Sequence, residues 1–303
     1  MIAGEIPTRR FVKLIIKTLA ELMLPSARYK RLSRLKDHHP YLNPQLSIHT
    51  QHIYVMRKSI LNALRTHAKN LSGTLLDIGC GHKPYQPLVM SAPSRVEKYI
   101  GLDLKNNIYQ KPDLEWDGQT IPLADNSIDC ALAMEVLEHC PEPEVVLREA
   151  LRVLKPGGSL FITVPFVWPL HDVPHDEYRY TPFALERHLR NAGFDRIEVK
   201  ANNNWDASLA QMIGLWVWRR PMSSRQRGIL TRAALPVVQF LTARDHPPEE
   251  FAEHSMTTSI SATATKPRAA AARKDHVAAA VCLVNSDWVW HVEAFADALV
   301  CFM

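Results

Sequence analysis

From Thr74 onward the chain repeats one rhythm, a short apolar run followed by an amphipathic stretch, and few folds accommodate it. The runs "TLLDI", "KYIGLDL", "DLEWD", "SIDCALAM" and "SLFITVP" read as five strands. Before the fifth, "PEPEVVLREALRVLKPGG" places Val145, Val146, Ala150, Leu151 and Leu154 at helical spacing and closes at Lys155, Pro156 and Gly157. "PFALERHLRNAGF" is a further helix ended by Gly193, and "DRIEVKA" is a sixth strand. Alternating units of this length predict an α/β fold built on a doubly wound, mostly parallel sheet. A ligand then sits beyond the carboxyl ends of the strands, where the strand order reverses.

The flanks of that rhythm complete the expected architecture. "TTSISATATK" (257–266) reads as a seventh strand, preceded by an apolar helical insert over 203–255 in which Pro236 predicts a kink. Ahead of the first strand, residues 1–70 form a basic helical segment. In it Phe11, Val12, Ile15, Ile16, Leu19, Leu22 and Met23 share one helical face, and 51–70 is a second helix. The main domain therefore covers 71–266. The last stretch, 267–303, is Ala-rich and without a regular period, and is expected to be disordered or loosely packed.

Charge is distributed unevenly. Residues 1–70 hold 13 Lys or Arg against 3 Asp or Glu, whereas the whole chain carries a formal +5. An anionic partner for the amino-terminal segment follows, a phospholipid surface with peripheral contact to an anionic membrane, a phosphorylated substrate or nucleic acid, and the charge alone does not choose among them. Five cysteines without a CxxC pair fit a reducing, cytoplasmic setting. Lys13, Lys17 and Glu21 interrupt the apolar stretch 11–24, against both a secretory signal and a membrane span.

"LLDIGCGHKPY" (75–85) turns from a strand through Gly79 and Gly81, which lets backbone amides approach a ligand. A dinucleotide fingerprint needs a third glycine where Pro84 stands, so a nicotinamide oxidoreductase is disfavoured. Asp103, at the end of the second strand, is placed to accept hydrogen bonds from ribose hydroxyls. Loop and acid together describe a nucleoside site.

The segment "DGQTIPLADNSIDCALAMEVLEHCPEPEVVLREALRVLKPGGSLFITVP" (117–165) carries several ordered motifs. On them the chain resembles the class I S-adenosylmethionine-dependent methyltransferases, in particular the type 11-like group, over roughly residues 71–200 and the seventh strand. The resemblance implies the Rossmann-like methyltransferase fold and S-adenosylmethionine as cofactor. It implies that Asp77, Gly79, Cys80 and Gly81 line its methionine part, that Asp103 holds the ribose, and that Leu104 packs on the adenine. Asp117 and Gly118 then lie at the adenine's amino edge, and Glu135 faces the methionyl end. The family loop often has a third glycine, where this chain has Lys83. Asp129, at a strand start, is expected to be structural.

A sulfonium already activates the methyl group, so the protein has mainly to align an acceptor and remove a proton. "WPLHDVPHDEYRYTP" (168–182) follows the fifth strand and overhangs the expected cleft. His171 or His175 is the candidate base, with Asp176 orienting it, and His139 in "LEHC" is a second candidate. The alternative is a polar network that pins the loop, with Arg179 paired to Asp176. No metal is expected, because Pro174 between His171 and His175 prevents the helical spacing that would let them share an ion. The acceptor is expected to be a small molecule, a glycan or a lipid-linked molecule. Nucleic acid is disfavoured, because no reading module is visible. A homo-oligomer, and a non-catalytic cofactor-binding scaffold, remain open.

Overall fold

The computed structural model describes residues 40–268 apart from 106, 108 and 110. The expected helix at 11–23 and nearly all of the 267–303 tail lie outside the described residues. A helix α1 (Gln51–Ala68) leads into β1 (Ser72–Ile78), a single turn α2 (Gln86–Val89), β2 (Arg95–Leu104), β3 (Leu114–Trp116) and β4 (Ile128–Met134). A 3-10 turn at Leu137–His139, then α3 (Pro143–Val153), β5 (Leu154–Pro165), α4 (Pro182–Ala192) and β6 (Asp195–Ala201) follow. The insert is α5 (Trp205–Arg219) and α6 (Ser224–Arg244), and β7 (Ser259–Thr265) is the last element among the described residues.

The seven strands form one sheet in the order β3-β2-β1-β4-β5-β7-β6. Strands β1 to β5 pair in parallel, while β7 runs antiparallel between β5 and β6. The chain winds outward from β1 to β3 and then returns to place β4 on the other side of β1. That reversal opens a crevice at the carboxyl ends of β1 and β4. This is the doubly wound, Rossmann-like architecture that the alternation of strands and helices implies.

Strand periodicity divides the core into two faces. Leu76, Ile78, Ala131, Ala133, Leu160 and Ile162 pack under α3 and α4 against Val146, Leu147, Leu185 and Leu189. Their neighbours Leu75, Cys130, Leu132 and Phe161 point the other way, onto Ile60 and Leu64 of α1. Helix α6 begins with a capping box between Ser223 and Gln226 and runs from Ser224 to Arg244 as one helix through Pro236.

The insert is attached to α1 by close packing and by buried hydrogen bonds. A Cβ added at Gly214 would stand 2.5 Å from the Gln51 carbonyl oxygen, so a side chain at this position would separate α5 from α1. Gln211 donates to the His52 carbonyl at 2.7 Å, and Gln51 donates to the Thr231 carbonyl at 2.9 Å. At the root of the insert Asn203 donates to the Ser59 hydroxyl at 2.8 Å and accepts from the Thr258 amide at 2.7 Å. Asp245, just beyond α6, accepts from the Asn204 and Ala207 amides and so caps the start of α5.

Two histidines of α1 are buried without charge. His52 stacks on Trp218 with ring centroids 4.5 Å apart, and His67 stacks on Phe161 at 4.6 Å. Burial lowers the pKa of each to about 4, helped at His52 by Arg219 and Arg57. A depressed imidazole pKa means that the unfolded state of that group binds more protons between pH 6.5 and 4, so the contribution of these two histidines to stability falls as pH drops through that window and is constant above it. Each histidine should contribute a loss of about 2 kcal/mol by pH 5. In denaturant titrations at pH 7.5 and pH 5, His67→Phe is expected to show a smaller loss than the wild type, and an equal loss would refute the assignment.

Candidate active site

A cavity of about 570 Å3 opens at the crevice between β1 and β4. Its floor is the loop after β1. Gly79 and Gly81 both have positive φ, at 68° and 49°. A Cβ on Gly79 would lie 2.6 Å from the Val136 side chain, so the close turn requires glycine there. The Cys80 amide donates to the Leu102 carbonyl at 3.0 Å, and the Gly81 amide donates to Asp103 Oδ2 at 2.8 Å. Lys83 occupies the left-handed region itself, at φ 53°. Its ammonium meets Asp113 at 2.6 Å, and Asp113 also accepts from the Gly101 amide at 2.7 Å. Lys83 thus ties the loop, through Asp113, to β2.

Asp103 and Leu104 end β2 and line the cavity, as do Gly118 and Glu135. Asp103 accepts from the Gly81 and Leu104 amides, which leaves further lone pairs for a ligand's hydroxyls. Leu104 is half exposed, toward the cavity it lines. Glu135 sits at the end of β4 with φ 54°, a conformation rarely adopted outside glycine. Its Oε1 is buried without a hydrogen-bond partner among the described residues. Burial pushes its carboxyl pKa upward. Glu135 and Asp103 thus line the same cavity, and one Glu135 carboxyl oxygen is buried there without a partner among the described residues.

Two residues expected at the cofactor do not line the cavity. Asp77 is buried at the end of β1 and accepts from the Tyr99 hydroxyl of β2, and burial raises its pKa to about 7. Its carboxyl therefore joins two strands and does not form part of the wall. Asp117 accepts from the Gln119 and Thr120 amides at 2.8 and 2.9 Å, which shapes the turn that presents Gly118 and Gln119. Cys80 does line the cavity, but burial pushes its thiol up to about 12, so it is not a thiolate at neutral pH. Asp129 holds the Thr74 amide at 2.9 Å and the Lys155 ammonium at 2.7 Å, a structural role at the opposite end of the strands.

The far end of the cavity is built by the 3-10 turn and the loop after β5. His139 and His171 both line it, with ring centroids 4.7 Å apart. His175 does not line it. Its ring is exposed, and it contributes its backbone carbonyl, 2.9 Å from His139 Nδ1. Pro174 does separate His171 from His175, as the sequence suggests, and the neighbour of His171 is His139 from the β4 side. His171 Nδ1 lies 3.2 Å from Asp176 Oδ2, and Arg179 grips Asp176 with two hydrogen bonds of 2.6 and 2.8 Å. That guanidinium holds the Asp176 carboxyl well below the usual carboxylate range, while burial lowers the pKa of His171. Asp176 lies behind His171 and orients its ring.

Sequence reasoning named His139 but not Glu138 beside it. Glu138 is fully buried, and both of its carboxylate oxygens lack hydrogen-bond partners among the described residues. Burial, reinforced by Glu135, pushes its pKa well above the usual value. Its backbone carbonyl accepts from the Glu177 and Tyr178 amides, which docks the loop after β5 onto the turn. Asp172 also lines the cavity, as do Tyr41, Met56 and Tyr109. Tyr41, Met56 and Tyr109 carried no local signal, because the fold assembles them from the segment before α1, from α1 and from the segment after β2.

The profile of the family described as "Methyltransferase domain" matches residues 76–162, which run from β1 to β5. An uncharacterized 37.1 kDa protein in transposon TN4556 of Streptomyces fradiae is 37% identical over 40% of this chain and 39% of its own length. The 27-O-demethylrifamycin SV methyltransferase of Amycolatopsis mediterranei is 33% identical over 30% of this chain and 39% of its own. The chain thus matches about two fifths of the length of each of these relatives. A solved S-adenosylmethionine-dependent methyltransferase from Archaeoglobus fulgidus is similar at 17% identity, with a TM-score of 0.44 over 70% of this chain and 93% of that one. Residues 76–162 of this chain thus match a methyltransferase domain.

Proposed function

We propose that the protein transfers the methyl group of S-adenosylmethionine to an acceptor bound at the His139–His171 end of the cavity. The observation that carries this reading is the chemical difference between the two ends of one cavity. Asp103 and the backbone of the β1 loop stand at one end, and a pair of oriented imidazoles stands at the other. When bound, the cofactor supplies a methyl group made electrophilic by its sulfonium. Asp103 would hold the ribose hydroxyls, Leu104 and Gly118 would flank the base, and Glu135 would meet the cationic end. Acceptor activation falls to His139 and His171, with Asp176 positioning the latter and the walls excluding water.

The acceptor we favour is a small molecule, glycan or lipid-linked molecule met at an anionic membrane surface. No helix among the described residues is long and apolar enough to cross a membrane. Helix α5 nevertheless exposes Trp205, Leu209, Met212 and Trp216 along one face, and the Arg220 guanidinium lies 4.1 Å from the Trp216 ring centre. An apolar stripe ended by arginines supports interfacial contact. Incubating the purified chain and methyl-tritiated S-adenosylmethionine with fractionated cell extract should label a component of the membrane or glycan fractions. Cofactor binding without label in any fraction would sink the catalytic reading and leave a cofactor-binding scaffold.

A further inference from the structure

We propose that Glu138, His139 and His171 form a binding site for a divalent transition-metal ion at the acceptor end of the cavity, with Asp172 on its outer side. The inference rests on the assignment of that end to the acceptor. One ligand atom from each of the three residues lies within 4.8 Å of the others. His139 Nε2 stands 3.8 Å from Glu138 Oε1 and 4.0 Å from Asp172 Oδ2. Ligands held about 2 Å from a tetrahedral ion are separated by roughly 3.3 Å, so a small side-chain rotation closes the set.

Tautomer chemistry makes the cluster unusual. The Nδ1 atom of His139 faces a backbone carbonyl, and that of His171 faces a carboxylate already engaged by Arg179. Neither partner can donate, so in each neutral imidazole the proton resides on Nδ1 and the Nε2 lone pair is free. Support of one ring nitrogen by a carbonyl or carboxylate is the arrangement that orients metal-binding histidines. Beside them is the buried side chain of Glu138, whose oxygens have no hydrogen-bond partner among the described residues. The three ligand atoms therefore lie within reach of one another, and the Glu138 side chain has no other partner among the described residues. Two imidazoles and one carboxylate leave an open coordination position and favour Zn2+, Fe2+ or Mn2+ over Mg2+.

Such an ion gives the acceptor end a chemical preference. An acceptor hydroxyl in the open position is made more acidic, and its proton passes to Asp172 and then to water. Its oxygen forms the new O–C bond as the C–S bond breaks and the sulfonium becomes a thioether. The site therefore points to O-methylation.

The test uses the full chain, stripped with chelator and titrated with Co2+ as a spectroscopic probe and with Zn2+ against a chelating dye. One equivalent of tightly bound ion is expected, with ligand-field bands that are displaced by Zn2+. His171→Gln and the double change His139→Gln with His171→Gln should weaken binding by tenfold or more. Circular dichroism and S-adenosylhomocysteine titration report separately on folding and on the cofactor end. If a variant does not fold, the wild-type stoichiometry and spectrum still decide. A wild type that binds S-adenosylhomocysteine but no stoichiometric Co2+ or Zn2+ overturns the proposal, as does undiminished binding in the folded double variant. Failure to bind S-adenosylhomocysteine while Co2+ binds would instead overturn the methyltransferase reading alone.

Discussion

Asp103→Ala is expected to weaken S-adenosylhomocysteine binding by about 1–3 kcal/mol, roughly five- to 150-fold, in calorimetric titration. Two effects act in the same direction. The carboxylate stands on the cavity wall next to the β1 loop and retains lone pairs for hydroxyls, and hydrogen bonds to a charged group are worth more than neutral ones. It also fixes the Gly81 amide at 2.8 Å, so alanine releases the loop that must close under the ligand. Asp103→Asn separates the two effects, because an amide oxygen can still accept from Gly81 while the charge is gone. An affinity between those of the wild type and the alanine variant is expected. Unchanged affinity in the alanine variant would remove Asp103 from the cofactor site.

The elements that could be read from the sequence are those encoded locally. Strand period, the helix stop at Gly193 and the pair formed by the β1 loop and Asp103 each depend on residues close in the chain. Asp77 and Asp117 show the limit of that reading. Both have the residue type and strand-end position of a ligand-binding acid, yet each spends its carboxylate on its own fold. Asp77 turns to Tyr99 on the neighbouring strand, and Asp117 turns to the amides two and three residues ahead. Local position does not reveal which way an acid turns. The pairing of His171 with His139 and the burial of Glu138 were hidden for a related reason. They are created when the loop after β5 folds back on the turn after β4, where the Tyr180 hydroxyl donates to the Leu137 carbonyl at 3.0 Å and Tyr178 to that of Pro141 at 3.0 Å.

That docking makes Asp176 the most consequential residue outside the cavity wall, and Asp176→Ala should separate its two ends. Asp176 accepts both hydrogen bonds of the Arg179 guanidinium, the His171 amide at 3.1 Å and the His171 ring at 3.2 Å. Its side chain is 1% exposed and that of Arg179 26%. Removing one partner of a buried pair leaves the other charge uncompensated, which costs about 3–5 kcal/mol when burial is complete. The partial exposure of Arg179 lets water screen its charge, so about 2 kcal/mol is the expected loss, a fall in Tm of about 4–8 °C. The catalytic effect should be larger. A ring no longer held from behind leaves its productive orientation, and a displacement of about 1 Å at a reacting group costs on the order of 100-fold in rate. Asp176 lines no part of the cofactor end, so S-adenosylhomocysteine affinity should stay within twofold of the wild type. Methyl incorporation into the labelled fraction, a thermal melt and a cofactor titration on the same preparation measure all three. Loss of cofactor affinity together with activity would mean that the loop supports the whole cavity, and activity retained in a folded Asp176→Ala protein would mean that His171 needs no orienting partner.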